Sequence, residues 1–221
     1  MRNAIIVAGH AIVHDLERAA QDDGWYLFDF QRGEPERYIG HIRRAVEEAA
    51  ADSAALLIFS GGPTRKAAGP RSEALSYWLV AEHFHWFGHR SVRARAYLED
   101  FARDSFENLL FGICRHREIS GDLPVHVTVV GWEFKRVRFE DLHREAIGWP
   151  RERFLYGGAN DPEDIAQARE SEQSAQAKYI ADPYSLGEEF RAKKQARNPF
   201  RRQHGYAISC PEMFTEDKPW R

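Results

Sequence analysis

Three short, largely apolar runs, each closed by glycine, decide what this chain can fold into. They are "AIIVAG" (Ala4 to Gly9), "AALLIFSGG" (Ala54 to Gly62) and "VHVTVVG" (Val125 to Gly131). A strand that is apolar at every position must be buried on both faces, and a parallel sheet covered by helices provides that environment. "RFLYGG" (Arg153 to Gly158) is a weaker run of the same kind, and "RARAYLED" (Arg93 to Asp100) reads as an extended segment near a sheet edge. Helical patterns lie between them. In "PERYIGHIRRAVEEAAA" the residues Tyr38, Ile42, Ala45, Val46 and Ala49 recur on one face. "SEALSYWLVAEHFHWF" opens at Ser72, a good N-cap. "DSFENLLFGICRHRE" aligns Phe106, Leu109, Leu110 and Ile113, and "FKRVRFEDLHREAI" aligns Phe134, Val137, Leu142 and Ile147. This alternation predicts an α/β fold, a Rossmann-like parallel sheet with helices on both faces.

From about Asn160 the character changes. "DPEDIAQARESEQSAQAKYIAD" is polar, and "GEEFRAKKQARNPFRRQHGY" is rich in Arg and Lys. This stretch has too few apolar residues for a core of its own. The expected organisation is a Rossmann-like domain over 1–158, with 159–221 as a helical and basic extension packed on the same domain. A chain of 221 residues with 43% apolar content suits that size of core. The formal net charge of -3 gives no global pull toward nucleic acid or membrane. Cys114 and Cys210 are too few for a disulfide framework or a cysteine-only zinc site. The first apolar run is too short for a signal segment or a membrane span, so the expected location is cytoplasmic, with no membrane partner.

In an open parallel sheet, ligands bind beyond the carboxyl ends of the strands, near the point where strand order reverses. Gly9-His10, Ser60-Gly61-Gly62 and Gly131-Trp132-Glu133 occupy such ends. Glycines at 61 and 62 would let backbone N–H groups approach an anion, with Ser60 and Thr64 as further donors and Arg65 as a planar fork. The plain alternative is a strand-to-loop turn with an exposed arginine. The phosphate-loop, dinucleotide and nucleophile-elbow signatures are all absent from the sequence.

Glu73 begins a helix, where the dipole alone would favour a carboxylate. Asp104, Glu107 and Asn108 share one helix face, and Asp104 or Ser105 reads as a cap. Asn108, an amide beside an apolar stripe, wants a defined partner. Glu99 and Asp100, with Glu73 and Asp104, form either ordinary loop acidity, a Mg²⁺ cluster or an acid and base around a substrate. His10, just after Gly9, is either a donor or base for a ligand or a structural hydrogen-bond partner. Arg136 and Arg138 follow the fourth strand and point to the mouth shared with Arg65. The basic run Arg191, Lys193, Lys194, Arg197, Arg201 and Arg202 reads as a solvated tail or as a basic cover over a small anionic ligand. Nucleic acid is not the expected partner.

"LLIFSGG" followed by "SEA", then "LED" and "ARDSFENLLF", then an apolar strand leading into "FKRVRF", resembles the YdcF/SanA-like family, domain of unknown function 218. With "AGHAIV", "DPY" and "KKQARNPF" the pattern resembles a cytosolic subgroup met in fungi and some bacteria. The resemblance implies a Rossmann-like domain whose pocket is formed by these motifs, and it strengthens a functional role for Glu73. Many members of the family carry Tyr-His-x-x-Arg-Ala after the fourth strand. Here the stretch reads Trp132-Glu133-Phe134-Lys135-Arg136-Val137, so the acid/base histidine is absent and Glu133 is its replacement candidate.

The expected function is therefore that of an enzyme binding a phosphorylated or nucleotide-like small molecule and hydrolysing a phosphoester or phosphoanhydride. Glu73, Asp104 and Glu133 are the catalytic candidates. Gly9, His10, Ser60, Gly61, Gly62, Arg65, Asn108 and Arg136 are the ligand-binding candidates. The alternative is a non-catalytic module for a nucleoside-type ligand such as S-adenosylmethionine. S-adenosylmethionine and a divalent cation both stay open as cofactors, and the sequence gives no oligomeric state.

Overall fold

The computed structural model describes residues 1–221. The chain runs through β1 (Asn3–Ala8), a small antiparallel ribbon of β2 (Ile12–Val13) and β3 (Trp25–Tyr26), α1 (Pro35–Ala51), β4 (Ala55–Ser60), α2 (Glu73–His83), β5 (Ala96–Glu99) and α3 (Ser105–Ser120). It continues with β6 (His126–Trp132), α4 (Arg144–Ile147), β7 (Phe154–Asn160), α5 (Ile165–Ala181), α6 (Glu188–Ala196) and α7 (Tyr206–Ser209). Five strands form one parallel sheet in the order β5-β4-β1-β6-β7. The three apolar runs are its adjacent central strands, with Ile6 beside Ile58 and Val129. The fold is α/β and Rossmann-like.

Alternate side chains of each strand serve opposite layers, as the two-residue repeat of a strand requires. Ile5 and Val7 of β1, with Leu57 and Phe59 of β4, pack among Tyr38, Ile42, Val46 and Tyr77 from α1 and α2. Ala4, Ile6 and Ala8, with Leu56 and Ile58, pack under α3. Tyr179, Phe190, Tyr206, Met213 and Phe214 enter the same cluster as α3. The polar C-terminal segment thus contributes a few large anchors to the second layer.

Two helices depart from their sequence patterns. The periodicity predicts a helix through Phe87, but α2 ends at His83, and His85, Trp86 and Phe87 take positive φ values of 50°, 56° and 49°. That reversal buries Trp86, whose Nε1 donates to Glu82 Oε2 at 2.6 Å. The run from Phe134 to Ile147 divides into a tight turn at Glu133–Lys135, a wide π-type turn at Arg138–His143 and the short α4. Irregular helical turns of this kind re-aim side chains, and here Phe139 and His143 are both turned into the core. No helix is long and apolar enough to cross a membrane.

Strand order reverses between β1 and β6, which places the switch point beyond Ala8 and Trp132. The close seat of α3 against β1 depends on Gly112, where an added Cβ would come within 2.7 Å of Ile6 Cδ1. Gly112→Val should lower stability by about 1–3 kcal/mol through overpacking, read as a lower urea midpoint at unchanged slope. An unchanged midpoint would show that α3 can lift from the sheet without loss.

Candidate functional site

The loop after β4 is a support for Glu73 and not an anion cradle. Gly61 N donates to Glu99 O at 3.0 Å and Gly62 N to Ala102 O at 2.7 Å, so both backbone donors are occupied within the fold. Their carbonyls receive the first turn of α2, Gly61 O from Ala74 N and Gly62 O from Glu73 N. Ser60 is fully buried and its hydroxyl donates to Glu99 Oε2 at 2.6 Å. Asn108 Nδ2 donates to Ser60 O and lies 2.9 Å from Ser60 Oγ, which is the partner its sequence setting called for. The glycines instead clear space for Glu73. A Cβ at Gly9 would lie 2.7 Å from Glu73 Cβ, and one at Gly61 would lie 2.8 Å from Glu73 Oε2, with Gly61 at φ +153°. Thr64 donates its hydroxyl to Glu73 Oε1.

Beyond these strand ends lies a cavity of about 150 Å³. Gly9, His10, Glu73, Asp104 and Asn108 line it, so residues nearly a hundred positions apart meet there. Trp132 and Glu34 complete the uncharged and acidic parts of the wall, while Lys135, Arg138, Lys193 and Arg197 supply positive charge. The structure separates these cations into two kinds. Arg138 is committed to Glu172 of α5, with Nε at 2.9 Å from Oε1, and the neighbouring Lys194 pairs with Glu107 at 3.1 Å. Lys135, Lys193 and Arg197 form no ion pair; Arg197 donates only to the Arg103 carbonyl, at 3.0 Å.

Burial sets the protonation states. It lowers Lys135 to about 7, with Arg138 adding to the effect. His10 is held well below its ordinary value by burial, with Lys135 and His41 reinforcing it, so its imidazole is neutral. Its ring stacks on Trp132 at 5.9 Å, and Nε2 is buried without a partner. Asp104 Oδ1 caps α3 by accepting from Glu107 N at 2.8 Å, whereas Oδ2 has no hydrogen-bond partner but lies 3.5 Å from Lys194 Nζ, which is closer to Glu107. Burial, then Glu107, raises the Asp104 pKa. Burial also pushes Glu107 upward, but the Arg103 bonds and Lys194 outweigh it and hold that carboxyl down. The pocket thus offers cations without counter-ions beside carboxylates and a neutral imidazole.

Six of the candidates read from sequence lie outside this cavity: Ser60, Gly61 and Gly62, which support Glu73, and Arg65, Glu133 and Arg136. Arg65 stacks over Phe28 at 3.5 Å and donates to Gln31 Oε1 at 3.0 Å. It lines an adjoining groove, with Phe28, Phe30, Lys193 and Arg197, and its Nε and Nη1 are buried without partners. Glu133 and Arg136 pair with each other at 2.6 Å on the surface, because the tight turn after β6 lays Glu133 across Gly158 of β7. Lys135, between them, is the residue that turns inward. Its signal was the same "FKRVRF" motif, one position off. Glu99 faces the core, Asp100 accepts from the Ser72 hydroxyl, and no group of three His, Cys, Asp or Glu side chains is placed to hold a metal ion.

A larger cavity, about 740 Å³, lies between α3 and the C-terminal segment. The Arg103, Glu107 and Lys194 side chains line it, and it is set away from the strand ends. The smaller cavity holds the switch-point residues, and position in the fold makes it the candidate site.

No family model matches the chain, and no solved structure matches it. The chain is similar to Uncharacterized protein YOR238W of Saccharomyces cerevisiae, 28% identical over 208 residues, with 72% of this chain and 68% of that protein covered.

Glu99 anchors the wall of the site and yields a test. Burial raises it to about 7 from an ordinary 4.5, against the lowering effect of the Ser60 hydroxyl. Between those values the unfolded chain is ionised while the folded one keeps its proton, so stability falls as pH rises through that window. The slope approaches about 1.4 kcal/mol per pH unit and flattens above 7. Glu99→Gln lacks this loss, so its stability relative to wild type should improve from about pH 5 to about pH 8 in urea titrations. A constant difference would mean that Glu99 titrates like an exposed acid.

Proposed function

We propose that this chain is a YdcF-like enzyme that binds a phosphorylated small molecule at the switch point and cleaves a phosphoester or phosphoanhydride bond. The observation that carries this reading is the convergence of Lys135, Lys193 and Arg197, from two separate parts of the chain, on one small cavity without carboxylate partners. Lys135 and Arg197 are part-buried without an ion pair, which is costly, and a bound anion offsets that cost. Glu73, Asp104 and His10 border the same space and supply groups able to move protons. The adjoining groove suits the rest of a ligand. Phe28 and Phe30 stack there at 5.5 Å, and Phe30 is 70% exposed, which offers a platform for a planar ring.

That platform favours a nucleotide-like ligand and also supports a second reading, a binding module without turnover. The two differ in one measurement. Release of phosphate from a panel of phosphomonoesters and nucleotides, lost in Glu73→Gln, supports the enzyme; calorimetric binding of a nucleotide with no product supports the module.

The anion site makes its own prediction. Lys135 is cationic below about 7 and neutral above it, so affinity for phosphate or pyrophosphate should be highest near neutral pH and fall as pH rises through 7 to 8. Lys135→Met should weaken binding by about 1.5–3 kcal/mol at neutral pH and flatten that fall. Calorimetric titration of both proteins across pH checks it. Equal affinity at every pH would remove Lys135 from the site.

A further inference from the structure

Ser105 opens α3 in the wall of the switch-point cavity, and its Oγ lies 2.8 Å from His143 Nε2. The capping role at this helix belongs to Asp104, whose Oδ1 accepts from Glu107 N. Ser105 is thus free of the duty that a serine usually performs at a helix start. Its hydroxyl also lies 3.2 Å from Tyr179 OH and 3.4 Å from Arg138 Nη1.

His143 reaches Ser105 because the wide π-type turn after β6 rotates it inward. The ring is fully buried and stands edge-on to Phe106, Phe139 and Tyr179, with centroids 5.8, 5.3 and 4.4 Å away. Its Nδ1 has no partner, so the pair is a dyad without a third, orienting carboxylate. In the tautomer with the proton on Nδ1, Nε2 accepts the Ser105 proton. A hydroxyl within hydrogen-bond reach of an imidazole, facing a cavity with unpaired cations, has the arrangement that activates an oxygen nucleophile.

We propose that Ser105 is the nucleophile of this site, that His143 is its general base, and that hydrolysis passes through a phosphoserine. The proposal rests on the reading of the cavity as a phosphoryl site. In the first step Ser105 Oγ bonds to phosphorus and its proton passes to His143 Nε2. The bond from phosphorus to the leaving oxygen breaks, and that oxygen takes the electron pair and a proton from Asp104 or Lys135. In the second step water attacks phosphorus and returns a proton to that same acid. The bond from phosphorus to Oγ breaks, and Ser105 recovers its proton from His143. Ester and water go in; alcohol and inorganic phosphate come out.

Burial, with Arg138, Lys193 and Lys194 nearby, keeps His143 neutral. A phosphoryl dianion beside the same cations offsets their repulsion, so the imidazole gains proton affinity when substrate is bound. The dyad is thereby matched to an anionic substrate and poorly matched to a neutral ester.

The test uses para-nitrophenyl phosphate with the full chain, acid quenching and peptide mass spectrometry. The expected result is phosphate on Ser105, absent from Ser105→Ala, and nitrophenol release slowed about 10²–10⁴-fold in His143→Gln. Calorimetric titration of inorganic phosphate into Ser105→Ala should show retained binding, which certifies a folded site. Turnover that persists in Ser105→Ala without any phosphoserine would overturn the nucleophile and leave the hydrolase reading standing, with water attacking directly. Binding of phosphate with neither turnover nor phosphoserine in wild type would overturn both.

Discussion

A carboxylate buried at the end of β5 organises the whole mouth of the sheet. Glu99 receives the Ser60 hydroxyl, the Phe101 and Ala102 amides and, at 3.3 Å, the Tyr206 hydroxyl. The four donors come from three walls: the end of β4, the loop leading to α3, and the C-terminal segment. Taking a carboxyl out of water is expensive, and the cost is tolerable only when its lone pairs are satisfied. The segments that satisfy them are therefore held in one relative position. Asn108 extends the network from α3 back to Ser60, so the helix start that carries Asp104 and Ser105 is tied to the same anchor. The site is rigid because a polar group beneath it admits few alternative arrangements.

Upon that frame the charges are split by origin. The acids Glu73 and Asp104 stand at the first turn of helices that follow β4 and β5, while the cations Lys135, Lys193 and Arg197 arrive from the turn after β6 and from α6 and its end. Acids and cations therefore face one another across the reversal of strand order. Such an arrangement holds an anion on one side and delivers or removes protons from the other.

The sheet was legible because burial on both faces leaves an unmistakable mark: Ile5, Ile6, Leu57 and Val129 are apolar without alternation. The helix faces were legible for the same reason, as Tyr38, Ile42 and Val46 show. Within the site, Glu73 and His10 could be located because their strand ends are marked by glycine, and Asp104 and Asn108 because they share one face of a helix start. Orientation was not legible. Glu133, Lys135 and Arg136 are three consecutive charged or near-consecutive positions, and only the pitch of one tight turn determines that Lys135 points inward. The Gly61 and Gly62 amides looked free because their partners, Glu99 O and Ala102 O, lie about forty residues away. His143 carried no local signal, since a π-type turn cannot be read from a helical repeat.

The placement of Lys193 and Arg197 has a temporal consequence. All seven strands precede them in the chain, so during synthesis the strands can pair while these two cations are still inside the ribosome. Until then the cavity lacks two of the three unpaired cations that line it. A nascent chain can therefore pair its strands before the large anchors Phe190, Tyr206 and Phe214 reach the second layer of the core.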